Sequence, residues 1–407
     1  MKILVINSGS SSIKYQLFRM PEQEVIAKGL LEKIGEENSH FSQKSAKGTV
    51  ELKARIADHE QGIGFIIRML ADPEHGVMPS VSEIEGVGHR VVHGGEDLTA
   101  SVRVTDAVVQ MVQSYADLAP LHNPPNLMGI EACKKALPGA VQVATFDTAF
   151  HHTIPAFAHL YAIPRGMYEK YKIRRYGFHG TSHRYVSRRL AQLFGQKPEE
   201  LNMITCHLGN GCSVCAIAKG MSVDTSMGMT PLEGLIMGTR SGDIDPAIIF
   251  YLIDKGYTPQ DINSILNKKS GLLGISEISN DMRNLAEAKD KGDERAAFAI
   301  EMFCYRLKKY IGSYFAALGK TDAVVFTGGI GENNAATRSR SLAGLGPLGI
   351  ELDERKNESA VMGFEGPIHA VSSKVKVYVI PTNEELQIAC DTYEITRQSS
   401  PGSSASA

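Results

Sequence analysis

Two segments about half a chain apart repeat one pattern, and that repeat constrains the fold more than any other feature. In the first, the apolar run Ile3 to Ile6 enters a turn of Asn, Ser and Gly, and the chain leaves through Ile13, Lys14 and Tyr15 to Phe18. This predicts a β-hairpin whose tip has small side chains and open backbone. Main-chain N–H groups and hydroxyls at such a tip suit a polyanion, and Lys14 adds a counter-charge. The other reading is an ordinary polar turn. In the second segment, Met203 to Leu208 enters Gly209-Asn210-Gly211 and returns through Cys212 to Ile217. Asn7 and Gly9 of the first copy correspond roughly to His207 and Gly209 of the second. The repeat predicts two similarly folded halves, and two tips facing one cleft would hold a nucleotide's phosphates from both sides. Neither copy is a G-x-x-x-x-G-K-[ST] loop or a strand–GxGxxG–helix turn.

The 407 residues are enough for two or three domains with sizeable cores. A net charge of −2 gives no electrostatic footprint for nucleic acid or an anionic membrane. Six cysteines spread along so long a chain argue against a disulfide framework and for a reducing compartment. Cys212 and Cys215 form a CxxC, but residues three apart on a strand face opposite ways, which makes them packed thiols. The first apolar run is too short for a signal sequence, and Ala247 to Ile253 is too short to span a bilayer. Cytoplasm is the expectation.

Strand-like alternation runs to about residue 57. A helix is expected over Ile63 to Leu70, a strand over Ile84 to Val92, helices over Ala107 to Leu118 and Pro125 to Ala136, and a strand over Val141 to Phe146. Residues 148–180 look loop-rich, and Thr181 to Phe194 is amphipathic. Residues 224–245 show almost no periodicity, which in a compact domain marks function. Helices are expected again at 246–255, 261–266 and 294–318, strands at 323–326 and 375–380, and a final helix over 383–397. Residues 398–407 have the Ser/Gly/Ala/Pro composition of a disordered tail. Strands mixed with crossover helices in both halves make the class α/β.

Several loop clusters carry chemistry. His89-Arg90-Val91-Val92-His93-Gly94-Gly95 follows an apolar strand, so Arg90 is either delivered into a cleft or is a surface residue beside a glycine turn. His89/His93 and His179/His183 have i, i+4 spacing, but no third ligand type completes a zinc site. Asp147 closes a strand, as a metal, base or ribose partner or as a helix cap. His179 stands between glycines before a helix, with Thr181 or Ser182 as the capping alternative. Asp224 to Pro246 carries four glycines and the single strong cation Arg240, which suits an anionic ligand. Thr327-Gly328-Gly329-Ile330-Gly331-Glu332-Asn333 is a glycine turn after a strand, open to a purine or phosphate or simply closely packed.

Six blocks in order (NSGSSSIK, GHRVVHGGE, FDTAFH, RYGFHGTSH, HLGNG with DTSMGMTPLEGLIMGTRSGDIDP, and FTGGIGEN with PTNEE) resemble the acetate kinase family of carboxylate kinases. That family lies in the superfamily of actin, the heat-shock chaperone ATPases and the sugar kinases, and the match runs to about residue 397. The resemblance implies two ribonuclease-H-like, actin-like ATPase domains flanking a nucleotide cleft. They would be 1–149 with the returning helix 384–397, and 150–383. It also implies a homodimer, ATP and ADP as substrates, and Mg²⁺, with Mn²⁺ as a substitute. By resemblance, Asn7 and Glu384 form the metal site, and Ser10, Ser12 and Lys14 line the phosphate loop. Arg90 binds the carboxylate, Asp147 is acid/base or orienting partner, and His179 and Arg240 stabilise the transition state. His207, Leu208, Gly209, Asn210 and Gly211, then Asp281, Met282 and Arg283, then Gly329, Ile330, Gly331, Glu332 and Asn333 resemble nucleotide-binding segments. Val92, Leu121, Phe178 and Pro231 match the methyl pocket.

A carboxylate is already ionised at pH 7, so as nucleophile it needs no strong base, and several cations matter more. That argument favours Asp147 as an orienting partner of an arginine. Acetate and acetyl phosphate are the expected acceptor and product, with propionate or another short-chain acid as the alternative. A nucleotide-switched scaffold of the actin or chaperone kind is the rival from another class.

Overall fold

A computed structural model of the protein describes residues 1–120 and 122–398. Leu121 and the part of the expected tail beyond Gln398 lie outside the described residues. The chain divides into two compact units, Met1–Phe150 joined by the segment from Asn383 onward, and His151–Thr382.

The first unit is built on an eight-stranded sheet. Its strands are β1 Lys2–Ser8, β2 Ser12–Arg19, β3 Glu24–Glu32, β4 Ser39–Ser45, β5 Gly48–Ala54, β6 Ile84–Val91, β7 Val102–Arg103 and β8 Val141–Phe146, in the order β5-β4-β3-β2-β1-β6-β8-β7. Strands β1 to β5 pair antiparallel in succession, and β6 and β8 then add in parallel beside β1. The central strand β1 is a continuous apolar run because both its faces are covered. Leu4 and Ile6 face a core shared with the helices His59–Leu70 and Asn123–Ala136, while Ile3 and Val5 face Ile388 and Ala389 of the helix Glu384–Gln398. That two-residue alternation is what the pleat requires. Gly88 on β6 lets the last helix close onto the sheet, since a Cβ there would stand 2.4 Å from Thr392 Oγ1 and 2.6 Å from Ile388 Cγ2.

The second unit repeats the plan. Its strands are β9 Asn202–Leu208, β10 Cys212–Ala218, β11 Met221–Thr225, β12 Ala323–Thr327, β13 Gly366–Pro367 and β14 Lys376–Val379, in the order β11-β10-β9-β12-β14-β13. Strands β9, β10 and β11 are an antiparallel meander, and β12 and β14 add in parallel beside β9. The run β3-β2-β1-β6-β8 therefore matches β11-β10-β9-β12-β14 strand for strand and direction for direction. This is the duplicated ribonuclease-H-like sheet of two actin-like ATPase domains. The long helix Glu294–Leu318 buries Ala296, Ala299, Ile300, Phe303, Leu307, Ile311 and Tyr314, a 3.6-residue stripe, and packs against β9 and β10. Asp293 caps it by accepting the N–H of Ala296.

The local expectations need several corrections, among them the unexpected helix Glu354–Ser359 and a final helix that runs through Gln398. The helix expected over Ala107 to Leu118 stops at Ser114, and a 3-10 turn follows. The loop-rich segment contains the short helices Ala156–His159 and Arg165–Tyr171. Helices Gly271–Ser276, Met282–Asp290 and Ala335–Leu342 were not expected. Strand β6 ends at Val91, one residue before Val92.

Candidate active site

In the first unit the sheet's central strands end at one set of polar groups. The tip between β1 and β2 is closed by the Gly9 N–H donating to Ser12 O at 2.8 Å, and His59 Nε2 bonds the Gly9 carbonyl at 2.6 Å. Asn7 stands opposite Lys14 in the hairpin register. Asn126 ties this tip to the neighbouring strand, donating to Ser8 O at 2.8 Å and accepting the Val92 N–H at 3.1 Å.

Arg90 projects from the end of β6. Its Nε donates to both Asp147 oxygens at 3.1 Å and its Nη2 to Oδ2 at 2.6 Å. Asp147, just past β8, is 1% exposed and Arg90 is 22% exposed, so the pair is a fixed fork rather than a solvated surface bridge. Both oxygens of the Asp147 carboxylate are engaged by Arg90. Glu384 Oε2 lies 4.0 Å from Arg90 Nε. Burial drags the Arg90 guanidinium toward deprotonation, but the charges of Asp147 and Glu384 outweigh it and hold it protonated. The Glu384 carboxyl is pushed up to about 7, first by burial and then by Asp147 and Glu385, against the pull of Arg90 and Lys14.

Asn7 and Glu384 are hard oxygen donors. Among the described residues no group of three or more His, Cys, Asp or Glu side chains forms a metal cage. That donor set fits Mg²⁺, which takes one or two carboxylates and completes its shell with water and substrate phosphates. A cation would also relieve the crowding of Glu384, Asp147 and Glu385.

In the second unit the matching tip is one residue shorter. Leu208 pairs with Cys212, and Gly209 N–H donates to Gly211 O at 3.0 Å. Two nitrogen-bearing side chains, those of His179 and Arg240, converge on it. A Cβ on Gly211 would stand 3.4 Å from His179 Nε2 and 3.5 Å from Arg240 Nη1, so the bare α-carbon makes room beneath both. His179 sits at φ +56° ahead of the helix Gly180–Phe194, a left-handed conformation uncommon for a residue with a Cβ. It makes no side-chain cap, and neither Thr181 nor Ser182 caps the helix, because both lie inside it. The imidazole instead stacks on His207 at 4.3 Å and bonds Ser213 Oγ through Nδ1 at 2.9 Å.

Arg240 has no carboxylate within ion-pair distance among the described residues. Its Nη1 donates to Pro231 O at 3.1 Å, and burial lowers its pKa from the ordinary arginine range. The irregular segment carrying it is held from outside. Arg175 bonds Glu233 at 2.6 Å and the carbonyls of Thr225, Ser226 and Met227, while Arg306 and Tyr310 anchor Gly234 and Asp243.

The other expected nucleotide residues border the same tip. Gly238 N–H donates to Asn210 O at 2.9 Å, and Asn280 Nδ2 reaches Asn210 Oδ1 at 3.1 Å. Asp281 caps the helix Met282–Asp290 and pairs with Arg283, while the Met282 side chain is buried. Gly328, at φ +77°, packs on the backbone of Leu208, and Gly329 faces open space. Glu332 turns back to accept the N–H groups of Gly328 (2.8 Å) and Thr382 (3.1 Å). Asn333 bonds Gly329 O and the Met362 N–H. Phe178 is buried, and Val92 is half-buried while Val91 enters the core, so alternation persists past the strand end. Asn126, Arg175, Asn280, Arg306 and Ser213 were missed. Only Arg175 and Ser213, lying inside or beside quoted motifs, carried any signal.

The family model described as the acetokinase family matches residues 2–390. The chain belongs to the acetokinase family. It is 54% identical over 400 residues to the acetate kinase of Thermotoga maritima, covering 98% of this chain and 99% of that one. The solved acetate kinase of Porphyromonas gingivalis superposes with a TM-score of 0.93 at 46% identity, covering 97% and 99% of the two chains. A propionate kinase from Francisella tularensis gives 0.90 at 42%, with the same coverage. Acetokinase membership makes the chain a phosphotransferase with a carboxylate acceptor. No helix among the described residues is long and apolar enough to cross a membrane.

Proposed function

We propose that this chain transfers the γ-phosphoryl group of ATP reversibly to acetate, giving acetyl phosphate and ADP by direct in-line displacement. Arg240 carries this reading: a half-buried guanidinium without a carboxylate partner, set with His179 beside the bare α-carbon of Gly211. An uncompensated charge away from water is costly. A phosphoryl group with charge spread over its equatorial oxygens offsets that cost.

Acetate arrives ionised, so the barrier is the approach of one anion to another. Arg90 binds its carboxylate. Asp147 aims that guanidinium, and the engagement of both its oxygens by Arg90 supports an orienting role over a base. His179 and Arg240 meet the charge developing on the phosphoryl. Lys14 and the tip hydroxyls Ser10 and Ser12 are assigned to phosphate binding at the first hairpin. His207 to Gly211, Asp281 to Arg283 and Gly329 to Asn333 hold the nucleotide. Asn7 and Glu384 hold Mg²⁺, or Mn²⁺ in its place, which when bound neutralises phosphate charge. Val92, Leu121, Phe178 and Pro231 are assigned to the acyl methyl.

A homodimer is part of the proposal, supported by the helix Ala247–Asp254, on which no residue is buried although most are apolar. A cytoplasmic site is supported by six free thiols. A second reading, preference for propionate, is supported by the similarity to a propionate kinase. The test is ATP, Mg²⁺ and either acetate or propionate in the presence of hydroxylamine. Hydroxamate formed in step with ADP, faster from acetate, is the expected result. Faster trapping from propionate selects the second reading, and ADP without hydroxamate overturns both in favour of a nucleotide-switched scaffold.

A further inference from the structure

Behind His179 runs a buried chain of alternating hydroxyl and imidazole groups. Thr205 Oγ1 lies 2.7 Å from His183 Nδ1, His183 Nε2 lies 2.8 Å from Ser213 Oγ, and Ser213 Oγ lies 2.9 Å from His179 Nδ1. Thr205, His183 and Ser213 are fully buried. All four residues belong to the second unit, and two come from the paired strands β9 and β10, so the spacing is fixed by the sheet.

We infer that Ser213, His183 and Thr205 are positioning residues that hold His179 in the tautomer with its proton on Nε2. A neutral imidazole has one donor and one acceptor nitrogen, and a hydroxyl donates once. Such a chain therefore has two states, with every donor pointing one way or every donor pointing the other. Thr205 decides between them. Its hydroxyl has His183 as its hydrogen-bond partner, so its proton goes to His183 Nδ1 or is left buried without an acceptor. The second state carries the full desolvation penalty of the O–H.

In the first state His183 Nε2–H donates to Ser213, and Ser213 O–H donates to His179 Nδ1. His179 then carries its proton on Nε2, the nitrogen at the Gly211 notch beside Arg240. Burial, reinforced by the neighbouring His151 and His207, keeps His183 far below the ordinary histidine range, so it stays neutral as the chain requires. His179 is thereby a preset neutral donor toward the phosphoryl. It needs no solvent proton and no rotamer search.

The inference rests on the role proposed for His179, and the experiment separates the two. Histidine-¹⁵N-labelled full-length protein is observed by long-range ¹H–¹⁵N correlation, with the His179 ring assigned by its absence in His179→Asn. A proton on Nε2 is expected in the wild type, and a proton on Nδ1 overturns the relay without any variant. Thr205→Val removes the hydroxyl at near-constant shape. It should mix the His179 tautomers and lower kcat about tenfold with KM for ATP nearly unchanged, and Thr205→Ser should restore both. Ser213→Ala should do the same more strongly. Unchanged tautomer and kcat in Ser213→Ala overturn the relay. Wild-type kcat in His179→Asn instead overturns the catalytic role of His179 and leaves the tautomer result to stand by itself.

Discussion

Arg240 and Arg90 bring the same charge into opposite surroundings. Arg90 is clamped by Asp147 with Glu384 nearby, whereas Arg240 leans on a carbonyl and has no carboxylate partner among the described residues. A paired arginine positions, and an unpaired one waits for an anion. Arg240→Ala should therefore lower kcat by roughly a hundred- to a thousandfold, as loss of a preorganised charge partner does. Arg90→Ala should lower kcat and also raise KM for acetate. Steady-state kinetics on variants with native circular dichroism decides this, and near-wild-type turnover removes the residue from the mechanism. Val92 follows Arg90 by two positions and keeps the same accessibility alternation. Val92→Ala should raise the propionate-to-acetate ratio of kcat/KM about tenfold, the worth of one or two methylenes. An unchanged ratio with lowered stability would make Val92 a packing residue. Asn7, Arg90, Asp147 and Arg240 could be singled out as candidates because each stands where apolar periodicity stops at glycine or at a strand end. Asn126 and Asn280 were not, because a buried amide serves whatever the fold brings to it, and nothing local to the amide announces that partner.

At the level of elements, the two hairpins and the long helix Glu294–Leu318 could be read from periodicity because their apolar residues recur at two or at 3.6. The helix Ala335–Leu342 escaped notice because Ala-Ala-Thr-Arg-Ser-Arg-Ser-Leu has almost no apolar stripe. It is held by polar contacts instead: Arg338, fully buried, donates to Gly331 O, Glu332 O, Asn357 and Ala360 O. Strand pairing has a pH signature. His89 on β6 is buried against Gln142 of β8, 2.8 Å from its Oε1, and burial pushes its pKa down to about 4, against the weaker opposing effect of that bond. The unfolded imidazole titrates near 6.5, so between these values the unfolded chain binds the extra proton. This contribution is complete above about pH 6.5 and is lost as the pH falls toward 4. From pH 7 to pH 5 it amounts to about 2 kcal/mol. His89→Gln should lessen the acid loss of unfolding free energy over that interval by about this much. Urea titrations of both proteins at both pH values measure it, and parallel pH slopes would contradict a buried neutral His89.

Across the whole molecule, duplication was legible and assembly was not. One sheet order appears twice, and two look-alike hairpin segments announced it. The helix Ala247–Asp254 shows why a surface stays hidden from such reading. Ala-Ile-Ile-Phe-Tyr-Leu-Ile-Asp is apolar nearly all round, the pattern of a core helix, yet none of its residues is buried in the chain. Phe250 is 67% and Tyr251 61% exposed, with Ile248 and Ile253 also open. Elsewhere in the same unit Phe157, at 91%, stands out with Leu160, Ile163 and Met167. Isolated exposed apolar residues need no explanation, but a whole helix of them marks a covered surface. A second copy of the chain is the occupant that the proposed dimer supplies, since an isologous interface asks only for a self-complementary patch. Light scattering at micromolar concentration should give twice the 44.2 kDa chain mass. The double variant Phe250→Glu, Tyr251→Glu should scatter as a monomer, because burying two carboxylates in that patch costs more than apolar burial returns. A wild-type monomer, or a double variant that stays dimeric, would exclude this helix as the interface.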